Sequence, residues 1–144
     1  MRYMLLIYDA ESQWASMNEQ QKGQMFQEYM TFTDGIKKSG HYVSGDPLQP
    51  IATATTVRVR NGKTASTDGP FAETKELIAG FWLWQVRSME EAVEWLKRAP
   101  FSNGEEVEIR RVFEAADFGA ELTPEMREQD ARLRAQSAAQ KKGA

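Results

Sequence analysis

No cysteine occurs among the 144 residues, which excludes disulfides, thiolate metal sites and thiol nucleophiles and fits a reducing compartment. A single histidine, His41, leaves too few imidazoles for a structural zinc centre. No glycine-rich phosphate loop and no lysine-serine pair follows an apolar run, so no nucleotide cofactor is indicated, and neither metal nor cofactor is expected. The apolar run Tyr3 to Tyr8 is shorter than a signal-peptide core and ends at Asp9, so no export signal is readable and a cytoplasmic protein away from membranes is expected. Cationic surplus is also missing. Lys and Arg number 18 against 21 Asp and Glu, a net −3 with no basic half, which argues against direct nucleic-acid binding driven by phosphate contacts.

What remains is an ordinary globular composition, 41% apolar and 27% charged, in a length that suits one domain with an adequate core. Tyr3 to Tyr8 reads as a central strand buried on both faces, and Asp9 to Ala15 as a loop. Ser16 with Glu19 has the form of a capping box, opening a helix from about Met17 to Ser39 whose apolar positions recur at helical spacing before Gly40. His41 to Leu48 is the next strand. Thr53 to Arg60 alternates, Asn61-Gly62 is a two-residue hairpin turn, and Lys63 to Thr67 is the return strand. Ala79 to Val86 follows as a strand with Phe81, Leu83 and Gln85 on one face and Trp82, Trp84 and Val86 on the other. Ser88 with Glu91 caps a helix ended by Pro100, and Glu106 to Phe113 is the last strand. Thr123-Pro124 opens a charged final helix with few apolar anchors, so residues 119–144 read as a solvated arm behind a domain of residues 1–118.

This order predicts an α+β, ferredoxin-like sandwich, two helices on one face of an antiparallel sheet. The other face is then left bare. One of the pairs Trp82 with Trp84 or Phe81 with Leu83 must point away from the helices, and a homodimer joining two such faces is the economical cover.

The densest chemistry lies in Asp68-Gly69-Pro70-Phe71-Ala72-Glu73-Thr74-Lys75-Glu76. Asp-Gly-Pro breaks the preceding strand sharply, and Asp68, Glu73, Lys75 and Glu76 crowd three carboxylates and an amine beside an apolar strand. With Gly45-Asp46-Pro47-Leu48, Gly80-Phe81 and Val107-Glu108-Ile109-Arg110, this nine-residue stretch resembles the DGPF branch of the YCII-related family over roughly residues 1–118. The resemblance implies the dimeric α+β barrel superfamily. It also implies two roles known for the family: some members are proposed enzymes with a His and Asp pair in a cleft, and DGPF proteins occur beside extracytoplasmic-function sigma factors. Registered on the Gly and Pro after the first helix, the His position falls near Tyr29, while Lys37 and Lys38 stand where its acidic partner would be sought.

Asp68 and Glu73 are therefore the candidate acid-base pair, with Asp68 equally suited to an Asx-turn cap and Glu73, Lys75 and Glu76 to the first turn of a short helix. Arg110, on the charged face of the last strand with Glu108, is the candidate holder of an anionic group, or else an ion-pair partner of Glu73. Lys75, Tyr29 and His41 complete the candidate ligand-binding set, although Tyr29 fits the core and His41 fits a locally bonded strand start equally well. Two functions follow from these readings. One is a protein binding a small, anionic molecule near the Asp68 to Glu76 turn, with acid-base catalysis; the other is a non-catalytic regulatory module associated with sigma factors.

Overall fold

Alternation along the first strand sets the architecture: Tyr3, Leu5 and Ile7 are buried while Met4, Leu6 and Tyr8 between them are only half-buried. The computed structural model describes residues 1–9, 11–69, 77–101 and 104–142. In chain order the elements are β1 (Arg2–Asp9), α1 (Glu11–Ser16), α2 (Glu19–Lys38), β2 (Tyr42–Pro47), β3 (Thr55–Arg60), β4 (Lys63–Asp68), β5 (Leu77–Gln85), α3 (Met89–Leu96), β6 (Glu106–Arg111) and α4 (Pro124–Lys142). Four strands form an antiparallel sheet in the order β2-β5-β1-β6, the ferredoxin-like arrangement with a hairpin inserted. Among the described residues, strands β3 and β4 pair only with each other, as a separate two-stranded ribbon.

The chain forms two compact units, Met1–Arg111 and Val112–Ala144. In the first, the core joins Tyr3, Leu5 and Ile7 of β1 to Trp82 and Trp84 of β5, Ile36 of α2 and Ala92 of α3. Trp82 and Trp84 stack with ring centroids 5.3 Å apart, and Phe32 of α2 reaches both, at 5.4 and 6.0 Å. The tryptophans thus face the helices, which leaves Phe81 and Leu83 as the pair on the other side. Trp84 is fully buried, so truncation to alanine would cost about 4 kcal/mol. In the second unit, Arg127 clasps the loop ahead of α4, donating to the carbonyls of Leu122 at 3.0 Å, Phe118 at 2.9 Å, Gly119 at 3.1 Å and Ala115. Phe113 and Phe118 meet at 5.3 Å and stay exposed.

Three expectations change. β1 is buried on one face rather than two, because a continuous apolar run says nothing about how many faces the same chain covers. The expected loop from Asp9 to Ala15 contains the helix α1. The cap of α2 is Asn18 rather than Ser16: Asn18 Oδ1 accepts the Gln21 N–H at 2.8 Å and Gln21 Oε1 accepts the Asn18 N–H at 2.9 Å, while Ser16 donates back to Gln13 O at 2.7 Å. Asn18→Ala should therefore lower stability by about 1 kcal/mol in thermal melts, whereas Ser16→Ala should stay within about 0.5 kcal/mol of the wild type. The Ser88 cap is found, with its Oγ accepting the Glu91 N–H at 3.2 Å.

The hairpin turn is as the sequence predicts. Asn61 and Gly62 both have positive φ, 51° and 71°, the conformation that matches the twist of a two-residue hairpin and that Asn and Gly adopt at least cost.

Candidate functional site

Within the Met1–Arg111 unit, no described helix packs on the second sheet face, which is built by the residues that alternate with the core. Met4, Leu6 and Tyr8 of β1 lie beside Leu83, Phe81 and Ile78 of β5, as their cross-strand partners. The edge strands frame this apolar centre with polar groups: Ser44 and Asp46 opposite Leu83 and Phe81 on β2, and Arg110, Glu108 and Glu106 opposite Met4, Leu6 and Tyr8 on β6. On the β6 margin the Tyr8 hydroxyl donates to Glu108 Oε2 at 3.2 Å, and Arg110 Nε lies 3.6 Å from Glu108 Oε1. Among the described residues Arg110 is held by one long contact and its side chain is 70% exposed, so its guanidinium keeps donors available for a planar anion. Tyr8 and Glu108 were not singled out from the sequence. Their signal was the alternation of the last strand, but their pairing needs the β1–β6 register.

The other candidates lie elsewhere. Asp68 ends β4 opposite Thr55 and is exposed. The hairpin base beside it is closed by Gly69 N–H donating to Ala54 O at 2.7 Å and Thr56 Oγ1 donating to Gly69 O at 2.6 Å. Pro70 to Glu76, with Glu73, Lys75 and Glu76, lie outside the described residues. Tyr29 is on the helix side of the sheet, its ring 6.0 Å from Trp82 and 6.4 Å from Phe101, and its hydroxyl donates to Glu105 Oε1 at 3.2 Å. His41 is also on that side, Nδ1 3.1 Å from Gln85 O, Nε2 3.9 Å from Glu91 Oε1 and the ring edge-on to Trp95 at 5.6 Å. Arg110 therefore shares a face with neither Tyr29 nor His41. Among the described residues no cleft gathers these side chains, and no group of three or more acidic or histidine residues is placed to hold a metal ion.

Among the described residues Glu91 is the most strongly shifted carboxylate. The Arg87 guanidinium donates to it at 2.7 and 3.1 Å and the Arg87 backbone N–H at 2.7 Å, which together hold its pKa at about 2, down from 4.5. Because the folded value lies below the unfolded one, this contribution is complete above about pH 4.5 and is lost as pH falls toward 2. Urea midpoints measured from pH 6 to 2.5 should fall less steeply for Glu91→Gln than for the wild type across that window. Tyr42 is not an activated base: burial first, and Asp46 second, push its phenol above the ordinary value.

A shallow groove of about 280 Å³ lies between α2 and the end of α3, over Phe32 and Pro100, with Glu28 and Arg98 at its sides. That is at the small end for a small-molecule pocket. No helix is long and apolar enough to cross a membrane among the described residues.

Residues 1–116 match the family model of the YCII-related domain. Over 97 residues the chain is 30% identical to an uncharacterized protein of Rhizobium meliloti (strain 1021), a match taking in 67% of this chain and 78% of that protein.

Proposed function

Since the chain belongs to the YCII-related family, we propose that it works as a homodimer closed through its uncovered sheet faces and binds a small anionic molecule at the margin of that interface. One observation carries this reading: an apolar centre of Met4, Leu6, Phe81 and Leu83 lies half-buried between polar edges on the sheet face away from α2 and α3, among the described residues, with Arg110 beside it. An apolar sheet face of this kind is normally buried by a partner, and a self-complementary surface needs only a second copy. Arg110 supplies the anion-binding donors, with Lys75 as a second cation. Asp68, with Glu73 beyond it in the sequence, orients the ligand or moves a proton. The emphasis falls on binding, since no described side chain bonds the Asp68 carboxylate and the only histidine stands on the opposite side of the sheet from Arg110. A cytoplasmic location goes with this reading, supported by the absence of cysteine.

The test is a thermal-shift screen of small carboxylates and aromatic acids on the wild type, Asp68→Asn and Arg110→Ala. A ligand at 100 times its dissociation constant should stabilise the wild type by about 2.7 kcal/mol. The shift should be lost in Arg110→Ala. Equal stabilisation of both variants would rule out a site at Arg110 and Asp68.

A second reading rests on the Val112–Ala144 unit, where Phe113, Phe118, Met126 and Leu133 are exposed. Here the protein is a regulatory accessory whose arm contacts an extracytoplasmic-function sigma factor. Binding of a purified sigma factor that weakens on Phe113→Ser and Phe118→Ser substitution would favour it.

A further inference from the structure

The groove between α2 and the end of α3 holds about 280 Å³, with Phe32 and Pro100 as its apolar surface and Gln27, Glu28, Thr31 and Arg98 as its polar surface. It lies on the helix side of the sheet, away from Arg110. Its walls are fixed by the protein itself. The Phe32 ring rests against Trp82 and Trp84 at 5.4 and 6.0 Å. After α3 the chain is held by Arg98 N–H donating to Trp95 O at 3.1 Å, Ala99 N–H to Leu96 O at 2.9 Å and Phe101 N–H to Ala99 O at 2.9 Å. Preformed walls lower the ordering cost of binding, which matters most for a small ligand with few contacts.

The two charges of the groove are positioned as well. The Arg98 guanidinium lies over the Trp95 ring, 4.6 Å from its centroid, a stacking that leaves the donors on its edge free. Glu94, the acid that feels Arg98, is already taken by Lys97 at 2.5 Å. Glu28 accepts the Gln24 amide through Oε1 at 3.0 Å, so Oε2 keeps its capacity. Thr31 gives its proton to Gln27 O at 2.8 Å and can meet a ligand only as an acceptor. Among the described residues Glu28 and Arg98 form no ion pair with each other.

These groups define the ligand's chemistry. Arg98 takes a planar anion, which it can hold through two parallel donors. Glu28 and Thr31 take a cation that carries N–H groups, which a quaternary ammonium lacks. Phe32 and Pro100 take an apolar body. A dianion would set one of its charges against Glu28. We propose that the groove binds a free α-amino acid with an apolar side chain, its carboxylate on Arg98, its ammonium on Glu28 and its side chain over Phe32 and Pro100. This site is separate from the anion site at Arg110 and does not depend on the dimer.

The test is a titration of nitrogen-15-labelled protein with phenylalanine, followed by backbone amide shifts. Phenylalanine amide, which lacks the carboxylate, and N-acetylphenylalanine, which lacks the cation, are titrated alongside. The expected result is a common dissociation constant of about 1 mM for the amides of Glu28, Phe32, Arg98 and Ala99. Each derivative should bind about fivefold more weakly, the scale of one exposed ion pair. Two variants assign the charges: Arg98→Gln should weaken phenylalanine and N-acetylphenylalanine by about fivefold and leave phenylalanine amide unchanged, and Glu28→Gln should do the reverse with the two derivatives. Both positions are exposed, so the variants keep the fold. Arg110→Ala should bind phenylalanine as the wild type does. No shift in these amides at about 10 mM phenylalanine would overturn the site. Equal binding of all three compounds would also overturn it, leaving an apolar groove without charge recognition. Binding lost in Arg110→Ala and kept in Arg98→Gln would overturn it in favour of the Arg110 site.

Discussion

Replacing Gly45 by alanine is expected to destabilise the protein by about 3 kcal/mol, the upper end for overpacking by a single methyl group. Gly45 lies in β2 opposite Trp82, and a Cβ there would stand 2.4 Å from Trp82 Cδ1 and 2.7 Å from the Phe81 carbonyl oxygen. Neither neighbour has room to move. The carbonyl belongs to the central strand β5, and the Trp82 indole is wedged among Trp84, Phe32, Tyr29 and Phe101 at ring distances of 5.3, 5.4, 6.0 and 6.0 Å. Relief would require β2 to lift away, which also strains the Tyr42 hydroxyl's bond to Gly45 O at 2.9 Å. The urea midpoint should fall with an unchanged slope, since the surface exposed on unfolding is the same. Gly23→Ala is the contrasting control. Nothing lies within 4 Å of a Cβ at that position in α2, so alanine there should raise stability by up to about 1 kcal/mol through its better helix propensity.

Phe81→Glu and Leu83→Glu should each leave the fold intact and weaken the proposed dimer by about a thousandfold, because each would place two unpaired carboxylates in its one symmetric apolar interface. Both side chains point away from the helix-covered core, and each is only partly buried within one chain. The expected pattern is therefore a wild-type thermal transition in dilute solution together with a sedimentation profile shifted to monomer at micromolar concentration. A core position behaves in the opposite way: Trp84→Ala should unfold the chain before it alters any equilibrium between copies.

Much of the fold was legible because two periodicities compete openly along the chain. Alternation in Val107 to Arg111 and helical spacing through Tyr29, Phe32 and Ile36 place those segments correctly, and Asn61-Gly62 marks its own turn. The α2 cap was misplaced because Ser16 to Glu19 and Asn18 to Gln21 both have the spacing of a capping box, and only the presence of α1, which uses the Ser16 hydroxyl for itself, decides between them. The two tryptophans could not be assigned to a face from β5 alone. Their side follows from register, Trp82 opposite Leu5 and Trp84 opposite Tyr3.

The candidate site was less legible than the fold. The face Arg110 occupies follows from the alternation of its strand, but Tyr29 and His41 were joined to it through sequence patterns that do not record which side of a sheet a residue serves. Tyr29 belongs to the aromatic packing under α2, and His41 to the junction of β2, β5 and α3. Conversely, Tyr8 and Glu108 lie 100 positions apart and become neighbours only through the antiparallel pairing of β1 with β6.

The central claim, that a second copy covers the open sheet face, is tested most directly by an isotope-filtered NMR experiment on a mixture of carbon-13-labelled and unlabelled chains, which reports contacts between copies alone. Intermolecular contacts linking the side chains of Met4, Phe81 and Leu83 across the two copies are the predicted result. Their absence from a dimer, or contacts running instead through Phe26 and Met30 on the outer side of α2, would contradict the account.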